Sequence, residues 1–269
     1  MAASFTSWSM ARPCLFLLMI ITTLSPPATA EICSFWDTGC IDPLAQTAIS
    51  FTFPPLFLET INFYYAFDAD VRGRGQSPMT KAGFWIGYEP YINNSVIDVN
   101  RTSEVAVRVG NLTGSPSGAN NGCDGVWGSE CSKNLKDFLQ KTLFELVASG
   151  KSYSDPLGTV IGSFRASPPI VPNCPPSLFE VYHFPVDSFV MENEDDKTAI
   201  IKTTGSSDDT WATWLIDNMT AAEQAEQVAL GIIGRTPAYG SSPPLDKTEI
   251  QVQLVCALAP SVGTSSSDG

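Results

Sequence analysis

Histidine is almost absent from this chain of 269 residues, which contains His183 alone. One imidazole cannot supply a site that needs several histidine ligands, and we predict no metal site. His183 lies in the strand-like stretch FEVYHF (179–184), and no nucleophile motif accompanies it to suggest a catalytic dyad. His183 is kept as a candidate catalytic residue, although a packed or partly exposed strand residue is the simpler interpretation.

Sequence motifs of the common enzyme classes are also missing. The chain has no H-E-x-x-H, no Gly-rich phosphate loop and no G-x-G-x-x-G turn. The stretch GSPSG at 114–118 resembles a nucleophile elbow but has Pro116 where the nucleophile belongs. We therefore predict no cofactor, and the sequence favours a non-enzymatic protein over an enzyme.

Positive charge is scarce, with 15 Lys and Arg against 28 Asp and Glu and a formal net charge of −13. A chain this acidic is repelled by phosphate backbones and by anionic membrane surfaces. We therefore predict that nucleic acid is not a partner, and we interpret the excess of acidic residues chiefly as a source of solubility.

Long apolar runs are confined to the first thirty residues. The run LFLLMIITTL at 15–24 precedes a small-x-small triplet at 28–30, a pattern that predicts a cleaved signal peptide over 1–30. An uncleaved membrane anchor is the alternative, but the run is shorter than the ~20 residues that span a bilayer. We therefore predict one secreted, extracellular domain over 31–269, with a short polar C-terminal tail and no membrane span after cleavage.

Six cysteines follow the predicted signal peptide, and an even number in an oxidising compartment predicts three disulfides. Many pairings are possible, so spacing has to choose among them. Local spacing suggests two pairs and elimination leaves the third: Cys33–Cys40, Cys123–Cys131 and Cys174–Cys256. Four N-x-S/T sequons predict N-glycosylation, at Asn93, Asn100, Asn111 and Asn218.

The loop CDGVWGSEC, from Cys123 to Cys131, could instead serve as a metal loop ahead of a helix. A calcium-binding EF-hand loop would need an oxygen ligand and a glutamate at positions where this sequence has Gly122 and Cys131. A zinc site would need further Cys or His ligands at suitable spacing. We therefore interpret the loop as a disulfide staple that determines where a helix begins, at Lys133.

Alternating apolar and polar residues predict several half-buried strands. The segments are INFYYAF (61–67), KAGFWIGY (81–88), EVAVRV (104–109), FEVYHF (179–184), TAIIKT (198–203) and EIQVQLVCAL (249–258). The acidic stretch MENEDD (191–196) indicates a solvated hairpin loop between two of these strands.

Two amphipathic helices complete the predicted secondary structure. The first starts near Ser132 and ends before Gly150, and the second starts at the capping-box pair Thr220 and Glu223 and ends at Gly234. Their apolar stripes are Leu135, Phe138, Leu139, Leu143, Leu146 and Val147 in the first, and Ala225, Val228, Ala229 and Ile232 in the second. Strands interrupted by only two helices predict an α+β fold, mainly antiparallel β-sheet, stapled by disulfides.

Paired carboxylates are the remaining candidates for catalytic residues. Asp68 and Asp70 would share one face of a strand, where repulsion raises one pKa and suits the paired acids of glycoside hydrolysis. Arg72 and Arg74 follow directly, so a surface charge cluster is the simpler interpretation. Asp68 and Asp70 therefore stand beside His183 as candidate catalytic residues.

Aromatic side chains suggest a different function. Exposed rings can stack on sugars, whereas buried rings fill hydrophobic cores, and cores are the commoner use. The aromatic residues considered for sugar binding are Trp36, Tyr64, Tyr65, Trp85, Tyr88, Tyr91, Trp127, Trp211 and Trp214.

The chain combines a signal peptide, an acidic mature segment, scattered sequons and a C-x7-C spacing that opens a helix. In this overall style it resembles secreted glycoproteins of filamentous fungi, and the resemblance transfers no catalytic residue. Three functions stay open, and we favour the first: binding at the cell exterior, an exported enzyme or accessory factor of secondary metabolism or glycan processing, and carbohydrate binding by a β-sheet. The expected partner is an extracellular protein or a glycan.

Overall fold

Two antiparallel sheets and a set of helices make up the described part of the chain. The computed structural model describes residues 33–53, 57–70, 72–88, 100–149, 153–181, 183–192 and 199–260. Sheet A has the strand order β1 (Ala45–Phe53), β2 (Phe57–Asp70), β3 (Met79–Gly87) and β7 (Ala212–Asp217). Sheet B has the order β6 (Ala199–Ile201), β5 (Val186–Glu192), β4 (Arg101–Arg108), β8 (Val228–Pro237) and β9 (Gln251–Leu258). The helices are α1 (Cys123–Trp127), α2 (Ser129–Ala148), α3 (Pro156–Ala166) and α4 (Ala221–Ala225).

Some predictions concern residues outside these ranges. They are the signal peptide over 1–30, the sequon at Asn93, Gly150, most of MENEDD and the polar tail after residue 260. From Cys33 onward the chain forms one compact unit. None of the described helices combines the length and the apolarity that crossing a bilayer requires.

Sheet B is the middle of three layers, because alternate residues of its central strands face opposite cores. On β8, Ala229 and Ile233 pack with sheet A residues such as Phe63. Leu230 and Ile232 point the other way and pack against the helices. Every residue of β8 is therefore buried.

The predicted α+β class with mainly antiparallel sheet is confirmed. Strands β2, β3, β4, β6 and β9 lie where alternation places them. The strand predicted for FEVYHF is wrong, because β5 begins only at Val186. Phe179 instead packs edge-on against Phe164 of α3 at 4.8 Å between ring centroids, and Phe184 stacks on Phe179 at 6.3 Å. These rings fill the core under the helices rather than one face of a sheet.

The predicted second helix is wrong beyond its first turn. Its capping box is present: the Thr220 hydroxyl accepts from the Glu223 amide, and the Glu223 carboxylate accepts from the Thr220 amide. The helix ends at Ala225, however, and β8 begins at Val228. A strand buried on both faces is apolar at every position, and such a run also matches a helical stripe. The second long helix is α3, which was not predicted from the sequence and whose buried stripe is Leu157, Val160, Ile161 and Phe164.

Helix α2 begins earlier than predicted, at Ser129, with Gly128 at its N-cap. Ser132 therefore lies inside the first turn, where its hydroxyl accepts a hydrogen bond from the Trp127 indole at 2.9 Å. The predicted stripe is confirmed at the residues that are fully or mostly buried: Leu135, Leu139, Leu143 and Val147.

The structure confirms one predicted disulfide and contradicts two. The observed pairs are Cys33–Cys40, Cys123–Cys256 and Cys131–Cys174. The predicted pairs Cys123–Cys131 and Cys174–Cys256 are wrong, because cysteines close in sequence need not face each other once the segment between them is helical.

The disulfides Cys123–Cys256 and Cys131–Cys174 each join the helical layer to another part of the fold. Cys123 opens α1, and its partner Cys256 lies on the helix-facing side of β9. Cys131 lies in the first turn of α2 and reaches Cys174 in the Pro-rich segment 166–177. The two bridges span 133 and 43 residues, so in the loop-entropy model they restrict the unfolded chain more than a local loop would.

A buried glutamate on β4 caps a helix from outside it. Glu104 is 1% exposed, and its carboxylate accepts from the amides of Leu157 at 2.7 Å and Gly158 at 3.1 Å. These amides belong to the first turn of α3, where a helix has no acceptors of its own. Burial raises the pKa of Glu104 to about 7, because the loss of solvation outweighs the two hydrogen bonds.

A buried arginine completes the attachment of the helical layer. Arg108 lies on the same face of β4 and is fully buried. Its Nε donates to the Leu178 carbonyl at 2.8 Å, and one Nη donates to the Ser177 carbonyl at 3.3 Å. Burial lowers the pKa of Arg108 to about 10. The segment between α3 and β5 is thus held through its carbonyl oxygens.

The raised pKa of Glu104 predicts that the protein is most stable in mild acid. The folded state keeps this proton up to about pH 7, whereas an unfolded glutamate releases it near about pH 4.3. The free energy of unfolding should therefore fall by roughly 3 kcal/mol as the pH rises through this window. Glu104→Gln should flatten this dependence, measured by urea denaturation at a series of pH values.

The control for this experiment is Glu180→Gln, which removes one negative charge at an exposed site and should keep the wild-type slope. Glu104→Gln also loses one acceptor for α3, so in mild acid it should be less stable than wild type by about 1 kcal/mol. A wild-type slope in Glu104→Gln would show that another group is responsible.

Candidate functional site

A cleft lies on the face of sheet A that points away from sheet B. Its volume is about 670 Å³, within the range of small-molecule sites. The strand register explains its floor: Tyr64 is paired with Trp85 and Asn62 with Gly87, so these residues share one face of β2 and β3. Residues 204–207 border the cleft above these residues.

Two stacked aromatic rings form the floor of the cleft. The rings of Tyr64 and Trp85 are nearly parallel, with centroids 5.2 Å apart and an interplanar angle of 7°. Trp85 is 3% exposed and supports Tyr64, whose half-buried ring borders the open space. Two glycines leave room for the pair: a Cβ at Gly87 would lie 2.7 Å from the Tyr64 ring, and one at Gly205 would lie 2.5 Å from the Trp85 Cβ.

The wall segment, residues 204–211, is hydrogen-bonded to β3. The Gly205 amide donates to the Ile86 carbonyl at 3.1 Å, and the Trp211 amide donates to the Phe84 carbonyl at 3.0 Å. The wall segment runs directly into β7, so it continues the pairing of β7 with β3 past the end of the strand.

The N-terminal loop, residues 33–41, holds the wall segment from its other side. The Ile41 amide donates to the Ser207 carbonyl at 2.8 Å, and the Gly39 carbonyl accepts from the Thr210 amide at 2.7 Å. Ile41 is buried, and the first disulfide of the chain closes the loop just before it. The wall is therefore positioned by β3 on one side and by a covalently closed loop on the other.

The described lining of the cleft is uncharged. Besides its aromatic residues it presents Ser, Thr, Asn and Gln, whose hydroxyl and amide groups both donate and accept hydrogen bonds. Burial raises the pKa of Tyr88, so this phenol is neutral at physiological pH. The lining residues that the structure describes include no carboxylate, so they lack the acid pair of a glycoside hydrolase.

The carboxylates proposed from the sequence lie outside this lining. Asp68 is half-buried on β2 opposite Lys81, its carboxylate accepts from the Ala69 amide at 2.7 Å, and burial raises its pKa. Asp70 accepts from the Arg72 amide at 2.8 Å, which is a turn contact. A catalytic role for Asp68 and Asp70 stays a prediction, and the cleft does not use them.

His183 also lies outside the lining of the cleft. It is half-buried, and its ring centroid lies 5.5 Å from that of Trp214. Burial and, to a smaller extent, the positive charge of Arg165 lower the pKa of His183, so its imidazole is neutral at pH 7. The residue packs against an aromatic ring, and its catalytic role stays a prediction.

Potential metal ligands come together at Cys33, Asp37 and Cys40, whose ligand atoms lie within 4.8 Å of one another. The two sulfurs are bonded to each other, so they offer no thiolate to a metal. The group is better described as a disulfide with a carboxylate beside it.

The aromatic residues considered in the sequence analysis include the cleft residues Tyr64, Trp85 and Tyr88, but the polar walls were missed. β1 contributes Gln46 to the cleft, and its sequence AQTAISFTF alternates in a way that indicates a strand. The wall segment has no such signal, because its position depends on hydrogen bonds to residues distant in sequence.

The chemistry of the cleft has to be inferred from its own residues, because comparison of the chain with protein-family models, curated proteins and solved structures gave no match. A flat aromatic surface accepts an apolar molecular face, and the amide and hydroxyl groups around it exchange hydrogen bonds with polar edges. The cleft therefore suits an uncharged ligand with one apolar face and several hydroxyl groups.

Gly205→Ala should destabilise the protein, because its methyl group would lie 2.5 Å from the Trp85 Cβ. Forcing a methyl group into a packed contact costs about 1–3 kcal/mol, which thermal or urea unfolding would measure. The matched control is Gly162→Ala on the exposed side of α3, where a Cβ would meet nothing within 4 Å. That change should stabilise the helix by about 0.5–1 kcal/mol, and equal stability of the two variants would contradict the tight fit of the wall on Trp85.

Proposed function

We propose that this protein is a secreted binding protein that holds a neutral carbohydrate in the cleft on sheet A. The observation that carries the proposal is the stacked Tyr64–Trp85 floor within a ring of uncharged hydroxyl and amide groups. A pyranose ring has an apolar face of C–H groups and an edge of hydroxyl groups, so it complements both parts of this surface.

The lack of charge in the described lining favours a neutral sugar over an acidic or basic ligand. A charged ligand loses solvation on entering a cleft and needs an opposite charge there to compensate. The net charge of the chain is strongly negative, which further disfavours acidic sugars. A neutral glycan meets neither obstacle.

The framework of the protein supports a location outside the cell. Its three disulfides fit an oxidising compartment. Three of the four sequons fall within the described residues, and Asn100, Asn111 and Asn218 are all exposed, so glycans attached there would project into solvent. The resemblance to fungal glycoproteins makes the exterior of a fungal cell the expected setting.

Tyr64→Ala should weaken glycan binding at least about tenfold, a loss of about 1.4 kcal/mol, because it removes the open face of the aromatic floor. Tyr64→Phe keeps the ring and should keep most of the affinity. Binding would be found on an array of neutral glycans and measured by titration calorimetry with the sugar that binds best.

The matched control is Tyr239→Ala, which removes a tyrosine that is 60% exposed and does not line the cleft. It should bind as wild type does. If the folded wild-type protein binds no neutral glycan, or if Tyr64→Ala binds normally, the proposal is wrong.

A further inference from the structure

A buried ammonium group lies against the disulfide of the N-terminal loop. Lys81 projects from β3 on the outer face of sheet A and is 1% exposed. Its Nζ donates to the Ser34 carbonyl at 3.1 Å and lies 3.7 Å from Cys33 Sγ. One of the two sulfurs therefore has a cation beside it that solvent hardly screens.

The cation makes Cys33 the better leaving group of the pair. A neighbouring lysine stabilises a thiolate, and a thiol of lower pKa departs faster in disulfide exchange. Burial strengthens this interaction because the local dielectric constant is lower than that of water, although the same burial also lowers the pKa of Lys81. Cys40 is half-buried and lies in a loop whose other residues are largely exposed, so its sulfur is open to attack.

We propose that the Cys33–Cys40 disulfide is a site of thiol–disulfide exchange with an external dithiol, in which Cys33 leaves as a thiolate stabilised by Lys81. One thiolate of the dithiol attacks Cys40 Sγ, the Cys33–Cys40 bond breaks, and its electron pair goes to Cys33 Sγ. The second thiolate of the dithiol then attacks the dithiol's first sulfur, which is bonded to Cys40 in the mixed disulfide; that bond breaks and Cys40 leaves as a thiolate. The protein disulfide is reduced by two electrons, and the dithiol is oxidised to a disulfide.

Nearby carboxylates oppose this exchange, so substituting them gives a second test of its rate. Asp37 has a carboxylate oxygen within 4.8 Å of both sulfurs and accepts a hydrogen bond from the Ser34 amide at 2.9 Å. Its negative charge repels both the incoming and the outgoing thiolate. Asp68, opposite Lys81 on β2, reduces the positive potential that Lys81 creates. Removing the charge of Asp37 should therefore speed the exchange, and removing that of Lys81 should slow it.

Exchange at this site would also loosen the wall of the cleft. The N-terminal loop holds the wall segment through the Ile41 amide and the Gly39 carbonyl, and the Gly39 amide also bonds the Thr213 hydroxyl at 3.3 Å. Opening the disulfide returns conformational freedom to the loop that makes these bonds. The effect on ligand affinity rests on the proposed function, whereas the exchange chemistry and the loosening of the wall do not.

The other two disulfides serve as internal controls. They lie on the helical side of sheet B, on the far side of sheet B from Lys81. Both sulfurs of Cys123–Cys256 belong to fully buried residues. Cys131–Cys174 joins a fully buried cysteine to a half-buried one, whereas both cysteines of Cys33–Cys40 are half-buried, so it is the nearer of the two controls in exposure and lacks the lysine.

The test is a time course of reduction of the full-length protein by dithiothreitol under native conditions. Samples are quenched with acid, alkylated and mapped by mass spectrometry, which gives a rate for each disulfide. Cys33–Cys40 should open first, Lys81→Met should slow its reduction at least about threefold, and Asp37→Asn should speed it. The rate for Cys131–Cys174 should be the same in all three proteins.

Reduction of Cys131–Cys174 as early as Cys33–Cys40 in wild type would overturn the proposal. If Lys81→Met does not fold, exposed Asp37→Asn remains decisive, and an unchanged rate in that variant would overturn it too.

The coupling to the cleft is measured by hydrogen exchange of the amides of Ile41 and Thr210, the two donors between the loop and the wall segment, before and after selective reduction, with faster exchange expected. A protein that binds no glycan in its oxidised form would contradict the proposed function alone, since neither readout needs a ligand.

Discussion

Burial of sheet B on both faces is the constraint on which the rest of the structure depends. Alternate residues of β4, β8 and β9 enter one core shared with sheet A and another shared with the helices. The helical layer must stay in place, because its removal would expose the apolar side chains of the second core to water. Glu104 holds it by the amides of α3, Arg108 holds it by carbonyls of the segment that follows, and two disulfides anchor α1 and α2.

The same constraint decides where a ligand site can form. Packing covers both faces of sheet B and the inner face of sheet A, so the outer face of sheet A is the surface left for a cleft. Two segments distant in sequence, the N-terminal loop and the wall segment, cover part of that face. The cleft lies beside them, over the stacked rings of Tyr64 and Trp85. The proposed binding site and the first disulfide are therefore mechanically connected.

Prediction from the sequence succeeded where a local pattern reports a local environment. β4 and β9 have one period-two pattern each, and the stripe of α2 follows a single buried face. The capping box at Thr220 and Glu223 is a contact three residues apart, so it too was visible. β4 and β9 are also buried on both faces, but Glu104 and Arg108 in β4 and Gln251 and Gln253 in β9 interrupt their apolar runs and keep a period-two pattern. Prediction failed at β8, where no polar residue interrupts residues 228–233. β8 faces two cores at once, and its continuous apolar run was mistaken for a helix.

By itself the sequence determined the α+β class, the antiparallel character of the sheets, the aromatic residues available for binding and the disulfide between Cys33 and Cys40. These depend on periodicity, composition and short separations along the chain. Only the tertiary structure decided that Cys123 bonds to Cys256 and Cys131 to Cys174, because the pairing depends on the helix face that carries each cysteine and on the element that this face contacts. It also decided that Tyr64 and Trp85 meet beneath the uncharged residues 204–207, since strand register and loop packing bring those residues together from distant parts of the chain.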